Sequence, residues 1–324
     1  MRFYALIIFI FLALPSGSQE LFPLMEPAST MPKHTLGIRL MNESYEEVGN
    51  QFRTQFALRA MYGITPRLSV YFTGDASNHH NRTLPPDFPT HNTPQVGVHH
   101  PFLFNGYNIY AKYRFLSIDG ENSHFRAALY GEWSNLNVAH DEAEPTLLDD
   151  TKGYGGGLIT TYLKKRFAIS FTGGFIIPSE YNGGVTDPAG LPEIPAKVDY
   201  GNAINYDLSI GYLLFPRKYK NYTQTNWNLY LEFLGKSYDA AKVYFSNYMY
   251  SIPFYAVPIA LVPVLQAGNY IEVHPGLQCI INSNFRADLS VGFPLLNKSF
   301  VHYYPVYTIG IQRYFYFNKK KSKE

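Results

Sequence analysis

The sequence predicts an all-β protein, a closed antiparallel transmembrane β-barrel of about twelve strands, with fourteen strands as the alternative. Three observations predict it. Apolar and polar residues alternate with period two through most of the chain. Tight turns alternate with long connections. Aromatic residues make up 17% of the 324 residues while charged residues make up only 16%. Globular strands average about 5–6 residues, whereas a tilted strand needs roughly 9–11 to cross a bilayer. Most of the alternating segments reach the longer value.

The chain opens with Met1-Arg2 and an apolar run from Tyr4 to Leu14, followed by Pro15-Ser16-Gly17-Ser18. This has the layout of a signal peptide, with cleavage expected after Ser18. The run is too short to span about 30 Å of hydrocarbon. Residues 19–33 then form a short segment, expected on the periplasmic side, ahead of a barrel over 34–317 and a basic tail over 318–324.

Segment 51–63 shows the barrel pattern most plainly. Phe52, Phe56, Leu58, Ala60 and Tyr62 share one face, and Gln51, Arg53, Gln55 and Arg59 share the other. Successive strand side chains point to opposite faces, so one face is apolar and one polar. Equivalent strands are read near 34–42, 67–75, 106–116, 123–134, 153–163, 167–177, 202–214, 225–235, 269–281, 285–293 and 305–317. Ile64-Thr65-Pro66, Asp119-Gly120-Glu121, Lys164-Lys165-Arg166 and Asn282-Ser283-Asn284 are tight turns. Long connections fall at 76–105, 135–152, 178–201, 236–268 and 294–304. Short periplasmic turns, long extracellular loops and aromatic girdles at both interfaces are the marks of an outer-membrane barrel. Ser251 to Gly268 fits less well. It is apolar, but Pro253, Pro258 and Pro263 exclude a helix. It is read as a rim loop, a constriction in the mouth, or, with 241–262, the added hairpin of a fourteen-stranded barrel.

Composition removes other classes. One cysteine excludes a disulfide scaffold and a thiolate zinc site. A net charge of +2 gives no electrostatic footprint for nucleic acid. No cofactor is implied.

Tyr62-Gly63-Ile64-Thr65-Pro66-Arg67-Leu68-Ser69-Val70 resembles the first periplasmic hairpin of Gram-negative outer-membrane transporter barrels. His274-Pro275-Gly276-Leu277-Gln278, Asn282-Ser283-Asn284 and the run Arg286 to Pro294 resemble their penultimate hairpin. Gly310-Ile311-Gln312-Arg313-Tyr314-Phe315 resembles their closing strand. On these residues the chain resembles the phenol-degradation meta-pathway-like family of outer-membrane transporters over roughly 34–317. The resemblance implies a twelve-stranded barrel and passage of small, often apolar compounds. It differs from the long-chain fatty acid transporters, whose N-terminal hatch plugs the lumen: residues 19–33 are read as too few for a hatch. The tail after Phe317 is also longer than usual for a terminal aromatic signal.

Turning the polar face of each strand inward gives an uneven charge map. Early strands carry Arg39, Arg53, Arg59, Lys112, Arg114 and Arg126 against Glu132. Late strands carry Asp207, Glu232, Glu272 and Asp288 against Arg286. A basic wall is therefore expected to oppose an acidic one. Either water fills the lumen and the opposed charges select solutes, or the side chains meet and fill it. Eight strands leave a filled interior and sixteen an aqueous channel, so twelve leaves both outcomes open. His79, His80, His91, His99 and His100 lie in one connection, where imidazole would suit zinc, copper or nickel. Ser123-His124, and Glu272 with His274 and Ser290, are the candidate catalytic groups, but no Gly-x-Ser-x-Gly elbow exists. The expected function is non-enzymatic passage of small solutes through an outer-membrane barrel in contact with lipid, with no nucleic-acid partner and an oligomeric state the sequence does not specify. The alternatives are a non-conducting barrel acting through its loops as receptor, adhesin or structural protein, and a lipid-modifying barrel enzyme.

Overall fold

The computed structural model describes residues 22–47, 51–78, 99, 101–136, 152–185, 194–218, 224–247, 252–257, 266–297 and 303–317. The segment expected to be a signal peptide, the basic tail and most of the His-bearing connection lie outside them.

Twelve strands close into an antiparallel barrel. They are β1 (Thr35–Glu47), β2 (Gln51–Gly63), β3 (Leu68–Ser77), β4 (Leu103–Asp119), β5 (Ser123–Leu136), β6 (Gly153–Lys164), β7 (Phe167–Pro178), β10 (Ala203–Phe215), β11 (Asn226–Tyr238), β14 (Gly268–Ile281), β15 (Phe285–Leu296) and β16 (Val306–Tyr316). The first and last strands seal the wall, from Thr35 opposite Tyr316 to Ser44 opposite Tyr307. Closure pairs the backbone groups along the wall, the condition for crossing hydrocarbon with strands. The alternation sets the two faces. Phe52, Phe56, Leu58, Phe72, Leu129, Phe171, Leu289 and Ile309 are exposed on the outside. Gln55, Thr73, Lys112, Ser209, Glu232, Gln278, Arg286 and Gln312 are buried inside. Tyr62, Phe115, Tyr162, Phe167, Tyr212 and Trp227 ring the short-turn end of the outer face, and Phe104, Trp133, Tyr154 and Phe175 ring the long-loop end.

Four further strands, β8 (Tyr181–Val185), β9 (Ile194–Asp199), β12 (Lys242–Asn247) and β13 (Ile252–Val257), form a separate sheet in the order β13-β12-β9-β8. β8 and β9 continue the β7–β10 hairpin past the long-loop rim, and β12 and β13 continue the β11–β14 hairpin. The hairpin expected within 241–262 therefore exists but adds nothing to the barrel. β11 is already paired with β14, from Asn226 opposite Ile280 to Tyr238 opposite Gly268, so the wall has no gap for it. Its partner is β9, through Lys242 opposite Asp199. The fourteen-stranded alternative is overturned.

Candidate functional site: the lumen and the segment that fills it

Residues 22–33, expected to precede the barrel on its periplasmic side, lie inside it. Side chains of β1 through β6 and of β10, β11 and β15 all reach this one segment, which only a position in the lumen allows. Met31 N–H donates to Ser69 Oγ at 2.8 Å, and the Thr30 hydroxyl donates to Pro66 O at 2.8 Å, both beside the β2–β3 turn. Arg126 donates to Ser29 Oγ at 2.8 Å, and Ala28 N–H donates to Thr161 Oγ1 at 2.8 Å. Midway up the lumen, Leu24 and Met25 N–H donate to the Glu232 carboxylate at 3.1 and 2.9 Å. The segment then turns back. Arg39 donates to Pro23 O, and Arg286, next to the β14–β15 turn, donates to Phe22 O at 3.0 Å. Twelve residues are thus enough to close the short-turn half, contrary to the expectation that so short a segment makes no hatch. Phe22 and Met25 pack on Ala168 and Tyr230, and Ala28 and Met31 pack with Met61, Tyr71, Tyr110 and Tyr130. Burying each of the larger side chains contributes about 1.5–3 kcal/mol.

Glu26 is the ionic centre of this plug. Arg59 Nη1 donates to one carboxylate oxygen at 2.7 Å and Lys112 Nζ to the other at 3.0 Å. Burial alone would raise the carboxyl, but the Lys112 and Arg59 cations, with the Lys112 hydrogen bond, hold it at about 2. Lys112 Nζ also donates to Pro27 O at 2.7 Å, and both cations sit over the Tyr71 ring, 5.4 Å (Lys112) and 5.8 Å (Arg59) from its centroid.

The charge map takes its place around the plug. Arg39, Arg59, Lys112 and Arg126 bind the segment directly, as does Glu232 from the other wall. Arg39 also stands 3.5 Å from Asp288, which accepts from Arg286 at 2.7 Å and from Gln278 at 3.0 Å. Arg114 donates to Pro66 O at 3.0 Å on the short-turn rim. Arg53 lies at the other end, donating to Asn78 O at 3.3 Å. Glu272 accepts from Tyr304 and lies 3.1 Å from His274 Nε2. Asp207 accepts from Gly235 N–H at 3.4 Å. In the short-turn half the two walls therefore do not face each other across water. A peptide segment sits between them, accepting hydrogen bonds from the basic wall and donating to Glu232 on the other. His79, His80, His91 and His100 lie outside the described residues, and His99 is exposed. Among the described residues no group of three or more His, Cys, Asp or Glu is placed to hold a metal ion.

The root of the plug presses on Gly63. A Cβ there would lie 2.1 Å from Pro32 O and 2.8 Å from Met31 O, both backbone atoms that cannot swing aside. Gly63→Ala is expected to destabilise the seated state by about 1–3 kcal/mol, the usual cost of overpacking. Gly131→Ala, whose Cβ meets nothing closer than 3.9 Å, is the neutral control. Urea unfolding of the refolded barrels measures both.

On the long-loop side of the plug tip lies a cavity of about 90 Å³, floored by Leu24, Met25 and Glu26 and walled by residues of β2, β4 to β7 and β10. Tyr110 and Tyr130 line one side of it, and Tyr71 extends their stacked ladder behind the wall, with ring centroids 5.3 and 5.2 Å apart. Glycines make room for it: a Cβ at Gly174 would lie 2.0 Å from Tyr130 Oη, and one at Gly157 would lie 2.8 Å from the same ring.

The twelve-stranded barrel fold has counterparts among solved structures. The COG4313 outer membrane channel from Pseudomonas putida F1 shares this fold, with a TM-score of 0.51 at 12% identity, over 90% of this chain and 100% of that one. LpxR from Salmonella typhimurium aligns with a TM-score of 0.39 at 8% identity, over 87% of this chain and 100% of that one. The Pseudomonas putida toluene transporter TodX aligns with a TM-score of 0.32 at 11% identity, over 93% of this chain and 98% of that one. No family model and no curated protein matches the sequence. The chain has the closed antiparallel fold seen in outer-membrane β-barrels.

Proposed function

We propose that this chain is an outer-membrane channel for small solutes, held closed by its own N-terminal segment, with the short turns toward the periplasm. The observation that carries the reading is the seating of residues 22–33 on side chains of both walls, with a cavity left above the tip. Withdrawal of the segment would uncover the Tyr71–Tyr110–Tyr130 ladder, a flat aromatic surface suited to apolar or aromatic solutes. The resemblance to the phenol-degradation meta-pathway-like family supports the same solute class.

The role is passage rather than catalysis. Ser290 Oγ and His274 Nδ1 make no hydrogen bond to each other, so that serine is not joined to the neighbouring imidazole.

The test is Glu232→Ala. Two buried plug N–H groups lose their acceptor, at about 1–3 kcal/mol each. The unseated population is then expected to rise at least tenfold. In planar bilayers the parent, residues 19–324, should be nearly silent and the variant should show frequent conductance steps. A folded variant as silent as the parent would overturn the reading. It would favour instead a barrel acting through its long-loop face, which the projecting β8–β9–β12–β13 sheet makes the second reading.

A further inference from the structure

The outer wall carries a charge pattern that the lumen does not use. Where β6 turns into β7 and where β10 ends, the short-turn rim holds Lys164, Lys165, Arg166, Arg217 and Lys218. All but Arg166 are exposed, and none forms an ion pair with a described residue. The two turns are neighbours, because Leu213 N–H donates to Arg166 O at 2.9 Å. Residues 158–172 and 208–231, which surround them in sequence, contain no Asp or Glu. On one flank the β4–β5 turn, joined by Lys165 N–H to Asn122 O at 2.9 Å, brings Asp119 and Glu121. Asp119 is taken by His124 at 2.7 Å, Ser117 at 2.9 Å and Arg126 at 3.6 Å, which leaves Glu121 against the five cations. On the other flank the β14–β15 turn, Asn282-Ser283-Asn284, carries no charge, and Asp288 beyond it faces the lumen with Arg286. Arg166 is also fixed in direction. Its Nη2 donates to Leu214 O, and its guanidinium lies over the Tyr212 ring, 5.3 Å from the centroid. Tyr212 is exposed on the outer face with Tyr162, Phe167, Phe215 and Trp227, so the cation is held on the outside of the wall, level with the aromatic belt. The same arrangement recurs at Arg313, 5.5 Å from the centroid of the outward Phe315 ring.

We propose that this corner of the short-turn rim, formed by the ends of β6, β7 and β10, binds the headgroup of an anionic phospholipid. Amphipathic rings of a belt sit at headgroup depth, and long basic side chains beside them reach the same plane. A guanidinium held there meets a phosphate through charge-assisted hydrogen bonds, the stronger kind. Each further Lys or Arg close to the surface adds to the attraction for negative lipid. The acyl chains lie along the apolar outer wall at Phe167, Tyr212 and Trp227. A zwitterionic headgroup offers the same phosphate but brings an ammonium group that the five cations repel. A soluble acidic partner would match the charge and leave the adjoining aromatic belt unused. The site belongs to the outer wall and requires neither the plug nor conduction.

The chain has two tryptophans, which makes a local test available. Trp227 lies on the outer face at this rim and Trp133 on the outer face near the long-loop end. Folded 19–324 carrying Trp133→Phe is inserted into vesicles of phosphatidylcholine and phosphatidylglycerol in varied ratio, with one lipid or the other brominated in its acyl chains. Quenching of Trp227 then gives the relative binding constant of the two lipids beside it. Phosphatidylglycerol is expected to be favoured roughly fivefold or more at low salt, and much less at about 0.5 M salt. Combining Lys164→Gln, Arg166→Gln, Arg217→Gln and Lys218→Gln should bring the ratio to about one. Arg217→Gln with Lys218→Gln alone should at least halve it, which keeps the test available should the fourfold variant fail to insert. A Trp227→Phe barrel, reporting from Trp133, should show no preference. Equal quenching by the two lipids at Trp227, or a preference that the substituted barrels keep, would overturn the site. So would an equal preference at Trp133, which would assign it to the net charge of the barrel. Silent Glu232→Ala barrels would remove the channel reading and leave this site untouched.

Discussion

Deleting residues 19–33 is expected to turn a nearly silent barrel into a steadily conducting one, and to make it anion-selective. The wall itself does not depend on the segment. β1 pairs with β2 over Leu36–Glu47 and with β16 over Thr35–Ser44 whether the lumen is filled or not. What the deletion removes is the filling: Glu26, the backbone acceptors Phe22 O, Pro23 O and Pro27 O, and the apolar side chains packed among the tyrosines. Arg39, Arg59, Lys112, Arg126 and Arg286 then lose partners and take up water. Carboxylates remain at Glu232 and Asp288, but Asp288 stays with Arg286 at 2.7 Å. The excess of cations in the short-turn half sets the sign of the field, and charged rings of this kind govern which ions pass. Reversal potentials across a potassium chloride gradient measure it. A deleted barrel that is folded and silent would show that the tyrosines and long side chains close the lumen unaided. One that conducts with cation preference would show that the acidic wall dominates.

Acid is expected to open the intact chain. Glu26 is held at about 2 against 4.5 for the free carboxyl. A carboxylate depressed in the seated state stabilises that state fully above its free value and loses the contribution as pH falls toward the depressed one. Only part of that contribution is lost between pH 5 and 3, enough to raise the unseated population by about tenfold. The open probability of the parent should therefore rise as pH is lowered from 5 to 3. Glu26→Gln should be more open than the parent at neutral pH and nearly flat through the same interval. A Glu26→Gln channel whose acid response matches the parent's would place the titrating group elsewhere.

The barrel was legible because its strands cross a medium that enforces period two. The 51–63 strand is read to the residue, and 123–134 is short of β5 by only its last two residues. β4 runs from Leu103 to Asp119, beyond the expected 106–116, because its ends lie at the rims, where no apolar outer face is required. β8 and β9 escaped for the same reason, and β12 and β13 were legible only as one of three alternatives for their segment. A strand outside the bilayer need not alternate, and Ile252-Pro253-Phe254-Tyr255-Ala256-Val257 does not. The plug escaped because Phe22, Met25, Ala28 and Met31 recur every third residue among Pro23, Pro27 and Pro32, a spacing that belongs neither to strand nor to α-helix. That spacing was the available signal. The inward charges followed from alternation, but what they bind did not, since most of their partners are backbone carbonyls and one carboxylate of a segment without regular structure.

The route of the plug settles a question of topology. Its root, at His34, is bonded to Gly63 and Phe317, and its other described end, Phe22, meets Arg286 beside the β14–β15 turn. Both ends face the same opening. Over its described residues the segment is therefore a loop laid into the barrel rather than a thread drawn through it, a shape that could enter after the β1–β16 seam has closed. Under the proposed gating, withdrawal of such a loop would leave the ladder between the strands unbroken.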